Sequence, residues 1–424
     1  MPKVSIIVTA YNIERYIAES LGCITGQTLE DIEIIVVDDG SSDGTPQIIR
    51  DFAARDPRIR PILFEKNTIG GVATAANAGM EVATGDFIGF ADGDDRYAPD
   101  MFEKMWRAAT EADADLVMSR YMLLDESDGQ LKEPAETDRW QPYPVQTTLD
   151  LTPAKRREML RFISVPWRKL YRRDLVERAD LRYPVGDFFF EDNPFHWMSV
   201  IEANRIVLIP ERLCDHRVAR AGQTMSTVDE RLLRIFMHHD IIRDWLQQAG
   251  YLREYRIDLL QWVAGQLSWV SLRAQGEIRA TLFGVMVPIV GQYSDEDLID
   301  FARVNGQGRT TQMLRALKVQ DFAQFEKAAG WGAKELAPGA AGRASLFSRG
   351  LYHLRHSGVR QTAAMTASFM ASRIGLRRRP AAEEAALNDL SNKDLMMALV
   401  LMQRELHQIR AEIAALRRDD APKA

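Results

Sequence analysis

Three carboxylates fall within four positions at Asp92-Gly93-Asp94-Asp95, directly after the apolar run Phe87-Ile88-Gly89-Phe90-Ala91. Carboxylate oxygens suit Mg²⁺ or Mn²⁺, hard cations that bridge protein carboxylates to the phosphates of a nucleotide. Asp and Gly are also ordinary turn formers, so an Asp-x-Asp alone is a weak signal. The pattern repeats upstream, where Ile32-Glu33-Ile34-Ile35-Val36-Val37 runs into Asp38-Asp39-Gly40. Open α/β sheets bind ligands where the carboxyl ends of parallel strands converge, so two buried strands with acidic tips point to one site. A further pair, Glu191-Asp192, lies between an aromatic run and Asn193-Pro194-Phe195. Two readings of that pair are open: the N-terminus of a helix, or acid–base groups delivered into an interior cleft.

The elements that must position these residues follow from the periodicity. Val4 to Val8 reads as a short buried strand, Tyr16 to Leu21 as the amphipathic helix after it, and Ile32 to Val37 as the next strand. A helix over Thr45 to Ala54 puts Ile48, Ile49 and Phe52 on one face; Pro61 to Phe64, Val72 to Ala83 and Asp86 to Ala91 continue the alternation as strand, helix, strand. Strand and helix alternating at short intervals predict an α/β fold whose sheet is mostly parallel and covered on both faces.

The first hundred residues resemble a family 2 glycosyltransferase of the GT-A fold, a Rossmann-like architecture. The resemblance rests on Val4-Ser-Ile-Ile-Val-Thr-Ala-Tyr-Asn12, Val36-Val-Asp-Asp-Gly-Ser-Ser-Asp-Gly-Thr45, Asn67-x-x-Gly70, Asn77-x-Gly79, Ala83-Thr-Gly-Asp86 and Asp92-Gly-Asp-Asp95, in the family's order. One departure is Ala76, where many relatives carry an Arg before the helix Asn. The resemblance implies that Thr9, Ala10 and Tyr11 line a nucleoside pocket, that Asp39 bonds a uracil-type edge, and that Asn67, Gly70 and Asn77 belong to the donor site. Asp43 is then read as a cap of the following helix. It further implies Asp94 as first metal ligand and Asp92 facing the ribose or the ion, with Asp95 either behind them or a helix N-terminal carboxylate near Pro99. The cofactor implied is Mn²⁺ or Mg²⁺, and the donor a nucleotide-sugar, a UDP-sugar in particular.

A second block fits the same family. Trp167-Arg168-Lys169-Leu170-Tyr171 precedes Glu191-Asp192, and by resemblance Asp192 takes the proton of an acceptor hydroxyl, with Glu191 raising its basicity by like-charge repulsion. Direct attack of that kind inverts the anomeric centre. After a strand over Arg205 to Pro210, the stretch Cys214 to Ser226 reads as a basic loop that in similar enzymes folds over the diphosphate. Arg217 or Arg220 would offer forked donors to phosphate there, and His216 would reach metal or phosphate or be an ordinary surface residue.

The whole chain has 424 residues, 46% hydrophobic and 27% charged, with net charge −6. This is the composition of a globular protein larger than one ordinary domain. Two cysteines, Cys23 and Cys214, are too few for a disulfide framework. Met1-Pro2-Lys3 leads straight into a strand with no basic–apolar leader, and no stretch reaches the apolar length of a membrane span; the expected location is cytoplasmic, peripheral on the inner face of the membrane.

The expected organisation is a transferase domain over 1–228 and a helical domain over 229–335. The latter shows in residues such as Leu232, Leu233, Phe236, Ile242, Leu259, Leu260, Val263 and Leu267 at helical spacing. A basic segment over 336–386 follows: from Leu336 to Ala382 it holds eight Arg and no Asp or Glu, interleaved with apolar residues. That pattern suits anionic lipid, while nucleic acid or a solvated linker are the competing readings; given a lipid-linked acceptor, membrane contact is the expectation and nucleic acid is not. In 387–418, Leu395, Leu399, Met402, Leu406, Ile409, Ile413 and Leu416 form a narrow heptad stripe. It predicts a coiled-coil helix and self-association, against a single helix packed back on the protein.

The function expected is inverting, metal-dependent transfer from a nucleotide-sugar to a glycan or lipid-linked acceptor. A nucleotidyltransferase and a non-catalytic scaffold are the alternatives.

Overall fold

Apolar runs with acidic or Gly-rich ends become the strands of one sheet in the computed structural model, which describes residues 2–186, 189–220 and 230–331. The segments 336–386 and 387–418, and Ala221 to Ser226 of the expected basic loop, lie outside the described residues. The first half alternates as expected: β1 (Val4–Ala10), α1 (Ile17–Thr25), β2 (Ile32–Asp38), α2 (Thr45–Ala53), β3 (Ile59–Leu63), α3 (Val72–Val82) and β4 (Phe87–Asp92). Then come β5 (Arg96–Tyr97), α4 (Met101–Glu111), β6 (Leu116–Asp125), β7 (Leu131–Lys132), β8 (Thr147–Asp150), α5 (Pro153–Met159), β9 (Lys169–Arg172), α6 (Arg173–Arg178), α7 (Asp192–Glu202) and β10 (Arg205–Val218).

The sheet order is β3-β2-β1-β4-β9-β6-β10-β5, with β7 beside β6 and β8 beside β10. β3, β2, β1 and β4 are parallel; β9 enters antiparallel between β4 and β6, and β6 pairs parallel with β10. The sheet is thus parallel on its first side and mixed beyond β4. Chain direction in the order β3-β2-β1-β4 reverses its march at β1, which is the switch point where such sheets open a crevice. The apolar strands of this half are almost wholly buried, as a sheet covered on both faces requires.

One element departs from its sequence reading. The strand expected to stop at Pro210 runs on to Val218, bulging against β6 between Ile209 and Arg212 and again before Cys214. Pro210 has no N–H for the ladder, so the strand passes it by a bulge rather than ending there. His216 and Arg217 are therefore strand residues, not loop residues.

Beyond the sheet lie α8 (Met237–Gln248), α9 (Leu252–Ser271), α10 (Ile278–Gly291), α11 (Asp295–Asn305), α12 (Arg309–Lys318) and α13 (Phe322–Ala328). Ile242, Leu246, Tyr255 and Leu259 from α8 and α9 share a core cluster with Phe90, Tyr171 and Phe195. The helical part and the sheet form one compact unit up to residue 332 rather than two separated bodies. No described helix is long and apolar enough to cross a membrane.

Candidate active site

Strand register brings the acidic tips together. Thr9 is paired with Asp92 on one side of β1, and Ala10 with Asp38 on the other, so the end of β1 lies between the two. Tyr11, just past it, is 47% exposed and available to a ligand. Gly40 has φ +72°, and a Cβ there would stand 2.2 Å from the Lys66 carbonyl carbon. Only Gly lets the turn after β2 lie against the segment after β3. That contact delivers Asn67 and Thr68 to Asp39: Asn67 Nδ2 donates to Asp39 Oδ2 at 2.8 Å, and Thr68 Oγ1 to Oδ1 at 2.8 Å. Burial nevertheless raises the Asp39 proton affinity, against the lowering effect of Thr68. Asp43 accepts from the Thr45 and Glu14 amides, so it ties the start of α2 to the loop after β1.

The second acidic tip is bound to β10. β5 pairs antiparallel with it, Tyr97 against Cys214 and Arg96 against Asp215, which sets Asp95 beside His216. Asp95 is fully enclosed; its Oδ2 meets His216 Nδ1 at 2.8 Å and its Oδ1 accepts the Arg217 amide at 2.8 Å. Asp95 is therefore not a helix-terminal carboxylate near Pro99 but the partner of His216. Trp167 stacks on the His216 ring at 4.8 Å and 16°. Burial would push this imidazole down, but Asp95, Asp92 and Asp94 together hold it at about 9. As an imidazolium it can donate to phosphate, and without its Nε2 proton the same ring is a metal ligand whose orientation Asp95 fixes.

Asp92 differs from its neighbours. Ser20, Tyr97 and the Asp95 amide all bond its backbone carbonyl, and its carboxylate makes no hydrogen bond among the described residues. Burial, then Asp95 and Asp94, push its proton affinity far up. Asp92, Asp95 and His216 offer ligand atoms all within 4.8 Å of one another. A part-buried carboxylate that accepts no hydrogen bond among the described residues, beside a second carboxylate and an oriented imidazole, fits a hard divalent cation. Asp94 lies outside that trio and is paired with Arg220.

Arg217 has a different occupation from the one its sequence position implied. Its Nε donates to the Asp94 carbonyl at 2.9 Å, Nη1 to Glu126 at 2.5 Å and Nη2 to Glu19 at 2.8 Å, and its guanidinium lies over Tyr16. A 5% exposed Arg so engaged braces the acidic turn between α1 and β6 instead of presenting its fork to a ligand. Asn77 likewise spends its amide on the Tyr183 backbone, donating to O and accepting from N at 2.9 Å each. Gly70 packs against Thr74 and Val185, where any Cβ would collide.

Glu191 and Asp192 open α7, with Glu191 as the residue before the first turn. The backbone turns there through Phe190 at φ +66°, a strained conformation for an aromatic residue. The helical part holds the turn: Trp269 of α9 packs edge-on against the Phe190 ring at 5.8 Å, and Trp262 Nε1 donates to Asn193 Oδ1 at 3.0 Å. Burial raises Glu191 to about 7 and raises Asp192 as well, the latter opposed by Lys169 and by a hydrogen bond from the Ser164 side chain.

An aromatic cluster joins this corner to the metal-type corner. Phe90, two residues before Asp92 on β4, meets Phe195, one turn into α7, at 5.8 Å, and both touch Tyr171 and Tyr183. The charge of Asp192 in turn contributes to the raised proton affinity of Asp92, so the two carboxylates share an electrostatic environment.

The residues the sequence reading passed over are Lys169, Ser164 and Trp262, together with Glu19 and Glu126. Of these, Lys169 carried a signal, as part of the Trp-x-Lys-Leu-Tyr stretch.

Comparison with known proteins agrees with this architecture. The model of "Glycosyl transferase family 2" matches residues 5–178. The chain is 37% identical over 223 residues to the uncharacterized glycosyltransferase EpsJ of Bacillus subtilis, covering 51% of this chain and 61% of EpsJ. It is 33% identical over 261 residues to the putative glycosyltransferase EpsH of the same organism, covering 61% of this chain and 73% of EpsH. The crystal structure of residues 1–349 of S. aureus TarS, solved in complex with UDP-GlcNAc, superposes with a TM-score of 0.65 at 20% identity, covering 77% of this chain and 90% of that one. The chain belongs to glycosyltransferase family 2.

Proposed function

We propose that this chain transfers a sugar from a UDP-sugar to a hydroxyl of a glycan or lipid-linked acceptor, with inversion and with Asp192 as general base. The observation that carries the reading is the pairing of Asp92, a carboxylate that accepts no hydrogen bond among the described residues, with a helix-opening carboxylate, Asp192, through one aromatic cluster. The donor class rests on the TarS structure, which shares the fold and holds UDP-GlcNAc.

The residues then divide the work. Tyr11 and the Asp39–Thr68–Asn67 turn receive the nucleoside. Asp92 and His216, with Asp95 behind the imidazole and Asp94 alongside, form the cation site; a divalent ion there supplies charge neutralisation to a departing diphosphate. Arg220, next to Asp94, offers a second cation to the phosphates. Asp192 accepts the proton of the acceptor hydroxyl as its oxygen forms the bond to the anomeric carbon. The bond from that carbon to the diphosphate oxygen breaks with its electron pair, leaving UDP. General-base assistance of this kind is worth about 10²- to 10⁴-fold.

Two outlying segments extend the proposal. The Arg-rich stretch over 336–382 places the enzyme on anionic lipid near its acceptor, and the heptads of 387–418 join copies of the chain. A chain stopped at Pro380 with an unchanged oligomeric state contradicts the second point, and undiminished binding to anionic vesicles after the arginines are replaced contradicts the first.

The test of the main reading is release of UDP from a panel of UDP-sugars with Mn²⁺ and glycan acceptors. Turnover that needs both metal and acceptor supports it; no turnover with any donor, while UDP binds, turns the reading toward a non-catalytic role.

A further inference from the structure

Lys169 is 0% exposed, in the first position of β9, directly under the start of α7. Its Nζ donates to the Ser164 carbonyl at 2.7 Å and meets His196 Nδ1 at 3.1 Å. Both contacts lead to the same place. The Ser164 side chain lowers the proton affinity of Asp192, whose carboxylate also accepts from Asn193 Nδ2 at 3.2 Å. His196 lies four residues after Asp192 in α7, and residues at that spacing share one side of a helix. His196 is itself enclosed, and burial together with Lys169 and Arg168 keeps it neutral, so its Nδ1 accepts and the ammonium donates. The other charges around the ammonium are Arg168 and Glu136, and these are paired with each other. Asp192 is thus the carboxylate left to answer Lys169.

We propose that Lys169 is a positioning residue for the base: its ammonium anchors Ser164 and His196, and through them holds the Asp192 carboxylate in place in the first turn of α7. The inference rests on the reading of Asp192 as general base.

The geometry explains why a buried lysine stands here. Next to Glu191, with Asp92 across the aromatic cluster and the phenols of Tyr121, Tyr171 and Tyr183 around it, the part-buried Asp192 carboxylate is pushed toward its protonated form, and Lys169 opposes that. Burial and Arg168 push the lysine toward its neutral form, and Asp192 and Glu136 oppose that. The two buried groups thus favour each other's charged states. A base built this way carries its own counter-charge and does not depend on the cation site for ionisation.

The experiment uses the full chain as wild type, Lys169→Met, Ser164→Ala and Asp192→Asn. Stabilisation by UDP with Mn²⁺ reports folding and the donor site, and kcat/KM for transfer is followed against pH. A base works deprotonated, so the acid limb of the profile sits at its pKa, and removing a neighbouring positive charge moves that limb up. Lys169→Met is expected to keep UDP stabilisation, to lose about tenfold or more in kcat/KM near pH 7, and to regain much of it as pH rises, with the acid limb shifted up by about one unit or more. Ser164→Ala is expected to move the limb the same way by less.

A Lys169→Met profile that superimposes in shape on wild type overturns the inference, whatever the drop in height. Should that variant not fold, an unmoved limb in Ser164→Ala overturns it equally. Asp192→Asn with full transfer defeats the underlying base reading instead, so the two failures are told apart.

Discussion

Asp92 and Asp192 flank one aromatic cluster, and both are pushed toward their protonated forms by burial, yet their surroundings answer the problem in opposite ways. Asp192 has an internal cation, Lys169, and a hydroxyl from Ser164. Asp92 accepts no hydrogen bond among the described residues: His216, which lowers its proton affinity, is bonded to Asp95, Arg220 is bonded to Asp94, and two more carboxylates press on it. A part-buried carboxylate pressed by two others is stabilised when a cation arrives or a proton stays. The contrast is that the Asp92 corner leaves room for an external cation while the Asp192 corner has a lysine of its own. In the proposed reaction these are the donor side and the acceptor side.

The sharpest way to break the contrast is to remove the base. Asp192→Asn should lower transfer by about 10²- to 10⁴-fold, while Mn²⁺-dependent stabilisation by UDP persists; loss of both together means that the two corners are not separable. Next in size is Phe195→Ala, which empties the cluster that links them. It should cost about 3 to 5 kcal/mol in chemical denaturation, and a loss under 1 kcal/mol (roughly the upper limit for a surface site) would show that the cluster does not hold the two corners together. Trp262→Phe keeps an aromatic ring but removes the bond to Asn193 beside Asp192. It should cost about 1 kcal/mol in stability and lower kcat more than it weakens UDP binding; an unaltered kcat would detach the helical part from the positioning of α7.

The smallest effect concerns pH. Glu191 is held at about 7 against an ordinary 4.5. A carboxyl with a raised folded pKa favours the fold when protonated, so stability contributed by that site falls as pH rises from about 4.5 to about 7 and is level above. Glu191→Gln removes the dependence. The variant should gain about 2 °C or more in Tm over wild type near pH 8 and little near pH 4; equal differences at both pH values would show Glu191 to be well solvated.

How much of this was legible beforehand depends on how local the cause is. β1, β2 and β4 could be read because each is a buried apolar run, β2 and β4 with Asp at the end, and the fold follows from their alternation with helices. The acidic tips were legible for the same reason. The far half of β10 was not, because Pro210 looks like a terminus and Cys214-Asp215-His216-Arg217-Val218 alternates too many polar groups for a buried strand. Partners distant in the chain were invisible: Asp95 meets His216 across 121 positions, and Arg217 meets Glu19 across 198. An Arg near phosphate-binding residues therefore looked like a ligand contact, when its fork was already taken by two carboxylates. The partners of Lys169 were hidden differently, since the Trp-x-Lys-Leu-Tyr stretch marks the lysine without its neighbours and only its contact with His196 of α7 shows it enclosed. The strained turn at Phe190 and its support by α9 also needed the tertiary structure, since neither leaves a periodic trace.

The division between an externally supplied cation at Asp92 and an internally balanced base at Asp192 is tested most directly by titrating Mn²⁺ into the full chain with UDP present and following thermal stability in wild type, Asp92→Asn and Asp192→Asn. The account predicts that Asp92→Asn abolishes the Mn²⁺-dependent rise and that Asp192→Asn retains it in full. A rise that survives in Asp92→Asn and vanishes in Asp192→Asn would contradict it.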